Sequence, residues 1–292
     1  MTITFRELRK EYQNQAVLSE VNFQIESREF FVLAGSSGGG KTTLLKMINR
    51  LIEPTSGHIE IDGQDITEMD LRELRLQIGY VLQDIALFPN MTILENVGLI
   101  PQMKGWKSDK IKARVEELLP LVGLSAEKYL MRYPHELSGG EAQRIGILRA
   151  IAANPKIILM DEPFSALDPI SRKQLQILIK KIQKELQITT VFVTHDMSEA
   201  ITLADHLAII KSGQIQQIGS SDELITQPAN AYVADFLANF KEDLSKVKLS
   251  ALTELLADQT AEVTTDSSLE TALKVLRQQN MSKQSEDNSC KI

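Results

Sequence analysis

An α/β fold is predicted by three features of the amino-acid sequence. Continuous apolar runs at residues 30–34, 157–160 and 189–194 read as buried parallel strands, each with a helix-period segment behind it. The glycine-rich stretch Gly35-Ser-Ser-Gly-Gly-Gly-Lys41-Thr42-Thr43 joins the first of these runs to the helical pattern Leu44-Leu45-Lys46-Met47-Ile48. Ahead of it, Ile3, Phe5, Leu8, Val17, Leu18, Val21, Phe23 and Ile25 alternate with polar residues, the pattern of antiparallel strands joined by turns.

The glycine-rich stretch fits G-x-x-x-x-G-K-[ST] in the strand, loop, helix setting that motif requires. Gly35, Gly38, Gly39 and Gly40 let the backbone wrap an anion closely, with the N–H groups of the loop, Ser36 and Ser37 included, turned inward. A helix starting near Lys41 adds the partial positive charge of its N-terminus. Lys41 can reach the outer phosphates of a nucleoside triphosphate and the Thr42 hydroxyl can ligate Mg²⁺, with Thr43 next to it.

The remaining elements follow in order. Tyr12 stands alone on a strand ahead of the loop, and residue type by itself favours half-buried packing. Residues 51–57 are a turn cluster, 59–63 a strand, and 70–77 a short charged helix. Ile78-Gly-Tyr-Val-Leu-Gln83 is an apolar run ending on an amide, at the kind of strand end where α/β proteins place ligand contacts. From Asp84 to about Arg149 strand signals disappear and helical periodicity takes over, bounded by Pro101, Pro120 and Pro134, so a helical subdomain inserted in the sheet is expected. Within it Trp106 and Phe88 fit either a core or a contact with a partner.

Leu137-Ser-Gly-Gly-Glu-Ala-Gln-Arg144 opens an apolar helix. Ser138 and Glu141 form a capping box, which leaves Gly139 and Gly140 unexplained except as a second backbone surface for an anion. Ile157-Ile-Leu-Met-Asp161-Glu162-Pro163 places two adjacent carboxylates at a buried strand's end, costly unless they meet a cation. Asp161 suits a Mg²⁺ shell and Glu162 a water to be oriented or deprotonated. Asp168 follows in a turn before a helix over 171–186. The strand 189–194 ends on His195, at the sheet edge that also holds the glycine-rich loop, Gln83 and Asp161. A helix over 198–203, a hairpin around Ser212-Gly213 and helices over 221–226 and 230–239 complete the pattern.

Composition narrows the function. The net charge of -7 and the lack of a basic tract make duplex nucleic acid a poor partner. Cys290, the single cysteine, rules out an internal disulfide and fits a reducing cytosol. No apolar run approaches membrane-spanning length and the start lacks a signal peptide's apolar core, so any membrane role is expected to pass through a partner.

Taken together, the loop 35–42, Gln83, Leu137-Ser-Gly-Gly, Asp161-Glu162, Ser165-Ala-Leu-Asp168 and His195 resemble, in that order, the nucleotide-binding subunit of ATP-binding cassette (ABC) transporters. The resemblance covers residues 1–240. It implies the P-loop NTPase fold of ABC ATPases, with an antiparallel β subdomain and an inserted helical subdomain over about 84–149. It implies ATP and Mg²⁺ as ligands, stacking of Tyr12 on adenine, Gln83 coupling Mg²⁺ and the attacking water to the helical subdomain, and His195 on the γ-phosphate. Two anion-binding helix starts, near Lys41 and Ser138, stand against one phosphate loop. A homodimer resolves that count: Ser138, Gly139, Gly140 and Asp168 of one subunit close over ATP held by the other. Catalysis would rest on Lys41, Mg²⁺ and the Ser138 helix, with Glu162 as general base. Integral-membrane permease subunits, an extracellular substrate-binding protein and a peripheral place on the cytoplasmic face of the cell membrane are implied as well.

Residues 47–57, 78–83, 87–93 and 133–137 are similar to the ATPase subunits of osmoprotectant importers, which take up glycine betaine, carnitine or choline. The same mechanism with methionine, a polyamine or another small solute is the alternative, and a non-transport ABC ATPase acting on ribosomes or DNA a further one. Residues 261–273 resemble the opening of a CBS domain, too few residues follow for a complete regulatory pair, and the last dozen read as disordered. The extension is therefore expected to be short, over 241–292. Ser36 stands where many members have Pro, and Glu141 where many have Gln.

Overall fold

The computed structural model describes residues 1–246 apart from Ala166. The expectations for the extension beyond residue 246, Cys290 and the CBS-like stretch included, lie outside the described residues. The chain divides into two units, Met1–Val233 and Ala234–Ile292.

Two antiparallel strands, β1 (Ile3–Tyr12) and β2 (Gln15–Ile25), open the chain, with Ile3 opposite Ile25 and Phe5 opposite Phe23. Next come β3 (Phe30–Gly35), the helix α1 (Lys41–Ile48), β4 (Ser56–Ile61), the two-residue β5 (Gln64–Asp65), α2 (Leu71–Gln77) and β6 (Ile78–Val81). The helical segment holds α3 (Ile93–Met103), α4 (Ser108–Leu121), α5 (Ala126–Tyr129), a 3₁₀ turn at Pro134–Glu136 and α6 (Gly139–Ile151). The chain then returns to the sheet through β7 (Ile157–Asp161), α7 (Pro169–Leu186), β8 (Thr189–Thr194), α8 (Met197–Leu203), β9 (His206–Lys211) and β10 (Gln214–Gly219). It continues with α9 (Ser221–Thr226) and α10 (Ala231–Lys246).

Among the described residues the strands form two sheets. One has the order β2-β1-β4-β5 and is antiparallel; the other has the order β10-β9-β3-β8-β7-β6 and is parallel except for β10 at its edge. The central strands β3, β7 and β8 are buried at every position, which is why their sequences are apolar without alternation. The core lies between the sheets. Phe5, Leu8, Leu18 and Ile25 of the antiparallel sheet meet Leu44, Leu45, Met47 and Ile48 of α1 and Phe31 and Leu33 of β3. The Phe23 ring stacks on both Phe5 and Phe31, with centroids 4.4 and 5.3 Å away. The phosphate loop therefore leaves a strand packed on both faces, and α1 is clamped between two sheets.

Several expectations are corrected. Pro101 and Pro120 do not bound helices but lie inside α3 and α4. Each sits in a last turn, where the missing N–H forfeits a single helical bond and the helix ends within two residues. Strand β6 stops at Val81, so Gln83 stands beyond the strand end. Tyr12 is 47% exposed and not packed, because β1 runs past the edge of the core before it turns. Phe88 is also exposed, while Trp106 is half-buried with Lys110 Nζ 4.0 Å from its ring centroid.

Candidate functional site

The site lies along the C-terminal ends of the parallel strands. Helix α1 starts at Gly40 without a side-chain cap, as do α4 and α5, whereas Asp70, Thr92, Ser138, Asp168, Asp196 and Ser220 cap the starts of α2, α3, α6, α7, α8 and α9. The first N–H groups of α1 are thus left for an outside acceptor, the condition an anion meets. Gly40 has φ 96°, and a Cβ there would fall 2.7 Å from Leu18 Cδ2 and 2.8 Å from Val17 O, so only glycine fits. From Gly38 the loop opens outward, with no atom within 4 Å of where a Cβ would stand. These features fit a bound phosphate chain.

Lys41 is 5% exposed, and its Nζ donates to Gly35 O at 2.9 Å and Ser36 O at 2.8 Å. Burial lowers its pKa, against the pull of Glu162 and Asp161. The loop is curled round its own lysine. Next to it Thr42 Oγ1 donates to Asp161 Oδ1 at 2.8 Å, across 119 residues of chain. Burial raises the Asp161 pKa, with Thr42, Lys46 and Lys41 opposing. A hydroxyl and a carboxylate side by side are hard oxygen donors. Among the described residues no group of three His, Cys, Asp or Glu side chains could cage a metal alone. That donor set fits Mg²⁺, which draws most of its ligands from phosphate and water.

Glu162 follows β7 in the left-handed region, φ 45°, its N–H bonded to Val193 O. This turn carries its side chain off the sheet end to His195, whose Nδ1 lies 3.1 Å from Glu162 Oε2. The His195 side chain is 59% exposed. The structure therefore brings together the phosphate loop, Asp161, Glu162 and His195, all predicted from sequence. It does not bring Ser138, Gly139, Gly140 or Asp168 to them within the chain. Ser138 is held in a full capping box with Glu141, to which Tyr129 also donates; nothing stands within 4 Å of a Cβ built on Gly139. Asp168 caps α7 through Ile170 and Ser171, and the Ser171 hydroxyl foremost holds its carboxyl below the ordinary range. Gln83 and Tyr12 stand exposed, with Lys10 Nζ 4.7 Å from the Tyr12 ring centroid.

Three long-range contacts went unnoticed in the sequence. Gln143 of α6 donates to Pro163 O at 2.6 Å, next to Glu162. Arg172 of α7 bridges Leu167 O and Asp196, the residue after His195. Arg149 of α6 donates to the backbone beyond Gln83. All three grip the loops that carry the candidate residues.

Residues 18–165 match the family model described as ABC transporter. The chain belongs to the ABC transporter family. It is an ATP-hydrolysing cassette whose turnover is coupled to transport. The glycine betaine/carnitine/choline transport ATP-binding protein OpuCA of Bacillus subtilis is 49% identical over 90% of this chain and 69% of its own length. The choline transport ATP-binding protein OpuBA of the same organism is 47% identical over 96% of this chain and 74% of its own. Among solved structures, a dimeric ATP-binding cassette in a post-hydrolysis state with ADP and phosphate is similar, with TM-score 0.67 and 34% identity. That likeness covers 75% of this ABC cassette chain and 98% of that one.

Proposed function

We propose that this cassette energises an importer of quaternary-amine osmoprotectants such as glycine betaine, carnitine or choline. One observation carries the hydrolytic part: the Thr42–Asp161 pair and the Glu162–His195 pair meet at the mouth of a phosphate loop whose helix start is uncapped. The solute rests on the compounds named for the Bacillus subtilis relatives.

In this reading the loop from Gly35 to Gly40, with Ser36 and Ser37, and the start of α1 at Lys41, Thr42 and Thr43 hold the triphosphate of ATP. Lys41 exchanges its two loop carbonyls for phosphate oxygens, so binding replaces a self-contact of the loop and neutralises charge where it develops. Thr42, Asp161 and Gln83 hold Mg²⁺. Bound there, the ion supplies charge neutralisation of the transferring phosphoryl group. Glu162 accepts the proton of the attacking water, and His195 keeps its carboxylate aimed while facing the γ-phosphate itself. Tyr12 stacks on adenine.

Ser138, Gly139, Gly140 and Asp168 act on the nucleotide of a second copy, giving two equivalent sites in a C₂ homodimer. The exposure of Ser138, Gly139 and Asp168 in this chain supports that arrangement. No described helix is long and apolar enough to cross a membrane. As in the transport systems for which its relatives are named, the subunit works peripherally on the cytoplasmic face, beneath permease subunits fed by an extracellular binding protein. Nucleic acid is not among its partners.

Uptake of radiolabelled glycine betaine, carnitine and choline by cells carrying Lys41→Ala tests the proposal. Loss of uptake of at least one solute is expected. Unchanged uptake of all three, with the purified wild-type ATPase active, overturns the solute assignment.

A further inference from the structure

Arg149 lies in the last turn of α6, and burial lowers the pKa of its guanidinium with no carboxylate contributing. Among the described residues no acid pairs with it. Arg149 is half-buried, and a partly desolvated cation without an acid is costly unless its N–H groups are used. Here they are used on backbone: Nη1 donates to Ala86 O at 2.7 Å and Nη2 to Ile85 O at 3.3 Å. Both carbonyls belong to the loop that leaves β6 through Gln83, and Ala86 sits in the left-handed region at φ 45°.

The rest of the loop is held to the same helices. Ile85 rests on Gly146, one turn before Arg149 on the same face of α6, where a Cβ would come to 3.8 Å from Ile85 O and Cγ2. Asn96 of α3 accepts from Phe88 N at 2.8 Å and donates to Phe88 O at 3.1 Å. From Ile85 onward the loop is part of the helical segment. Among the described residues Gln83 makes no such hold of its own, and it stands between the strand end at Val81 and the held carbonyls of Ile85 and Ala86.

We propose that Arg149 is a positioning residue for Gln83. Its fork fastens the loop to α6, so a displacement of α6 reaches Gln83 directly. The other end of this 13-residue helix, roughly 16 Å from Arg149, carries Ser138. An arginine suits the task because its planar fork spans two adjacent carbonyls, which the single ammonium of lysine does in poorer geometry. The absence of a nearby acid keeps both donors on the loop. The inference rests on Gln83 acting at the nucleotide site as proposed above.

The test uses the full chain with Mg-ATP and compares Arg149→Met, Arg149→Lys, Gln83→Ala and the two double variants. Turnover and KM are measured, together with amide exchange of residues 85–88 without nucleotide. Arg149→Met is expected to lower kcat roughly tenfold with KM for ATP within about twofold, the size of a mid-range coupling between network partners. Exchange at 85–88 rises in the same variant. Arg149→Lys falls between it and wild type. In the Gln83→Ala background neither Arg149 substitution lowers turnover further. Losses that multiply with that of Gln83→Ala, or an unchanged exchange rate at 85–88, overturn the proposal and leave the site reading intact. If Arg149→Met does not fold, the Arg149→Lys and Gln83→Ala pair is judged by the same non-additivity. Wild-type turnover in Gln83→Ala removes the role of Gln83 and the clamp with it.

Discussion

Helices α1 and α6 both begin at glycines, and they are built in opposite ways. Helix α1 begins without a cap, has its lysine buried, and is walled in by Val17 and Leu18. Helix α6 begins with a complete capping box, braced by Tyr129, and its first glycine, Gly139, faces open space. The first terminus keeps its donors unsatisfied and so is finished by a ligand. The second is finished within the chain and lacks only a surface to meet. The contrast is the one expected of two half-sites that are complementary between copies, one contributing binding groups and the other a stable lid.

Five changes break or sharpen that contrast. Glu162→Gln is expected to have the largest effect: turnover falls by at least the ~10²-fold associated with a general base while ATP binding survives. Near-normal turnover would detach the Glu162–His195 pair from the chemistry. Next is the packing of α6 on the sheet. A Cβ on Gly79 would meet Ala150 O at 2.4 Å, so Gly79→Ala should cost about 1–3 kcal/mol in denaturant unfolding. Gly139→Ala, with nothing in its way, should leave stability within ~0.5 kcal/mol while hydrolysis drops. Equal losses of stability at the two positions would contradict the division into a packed end and an open end.

Ser138→Ala removes a cap and should cost about 1 kcal/mol, measured by the same unfolding midpoint, without altering Lys41 or Asp161. The smallest effect concerns Glu199, behind His195. Burial raises its carboxyl pKa, although Thr194 Oγ1 donates to it at 2.6 Å and Arg172 lies nearby. The folded state therefore holds this proton more tightly than the unfolded chain does. Stability falls as pH rises from about 4.3 through the folded pKa. Glu199→Gln should flatten that part of the stability profile, and an unchanged slope would place the dependence elsewhere.

Much of the fold and the nucleotide end of the site was legible in the sequence because local rules govern them. The apolar runs of β3, β7 and β8, the glycines of the loop, and the Ser138–Glu141 box each act within a few residues of themselves. Tyr12 was less legible: its residue type pointed to packing, while the length of β1 carries it out to solvent. Pro101 and Pro120 pointed to helix boundaries, yet a last turn tolerates them. Arg149, Gln143 and Asn96 gave no sign at all. Their partners are backbone carbonyls and amides, which every residue carries and no pattern distinguishes.

The sequence by itself therefore determined which groups are present: a phosphate loop, a metal-suited carboxylate, an adjacent second carboxylate and a second capped helix start. Tertiary structure decided how these parts are tied together. Thr42 finds Asp161 across 119 residues, and Arg149 finds Ala86 across 63, because strand order and helix packing bring those loops to one edge. The physical reason is that chemical identity is a property of single residues, whereas distance between loops is set by the core that the two sheets and α1 build together and by the packing of α6 on β6.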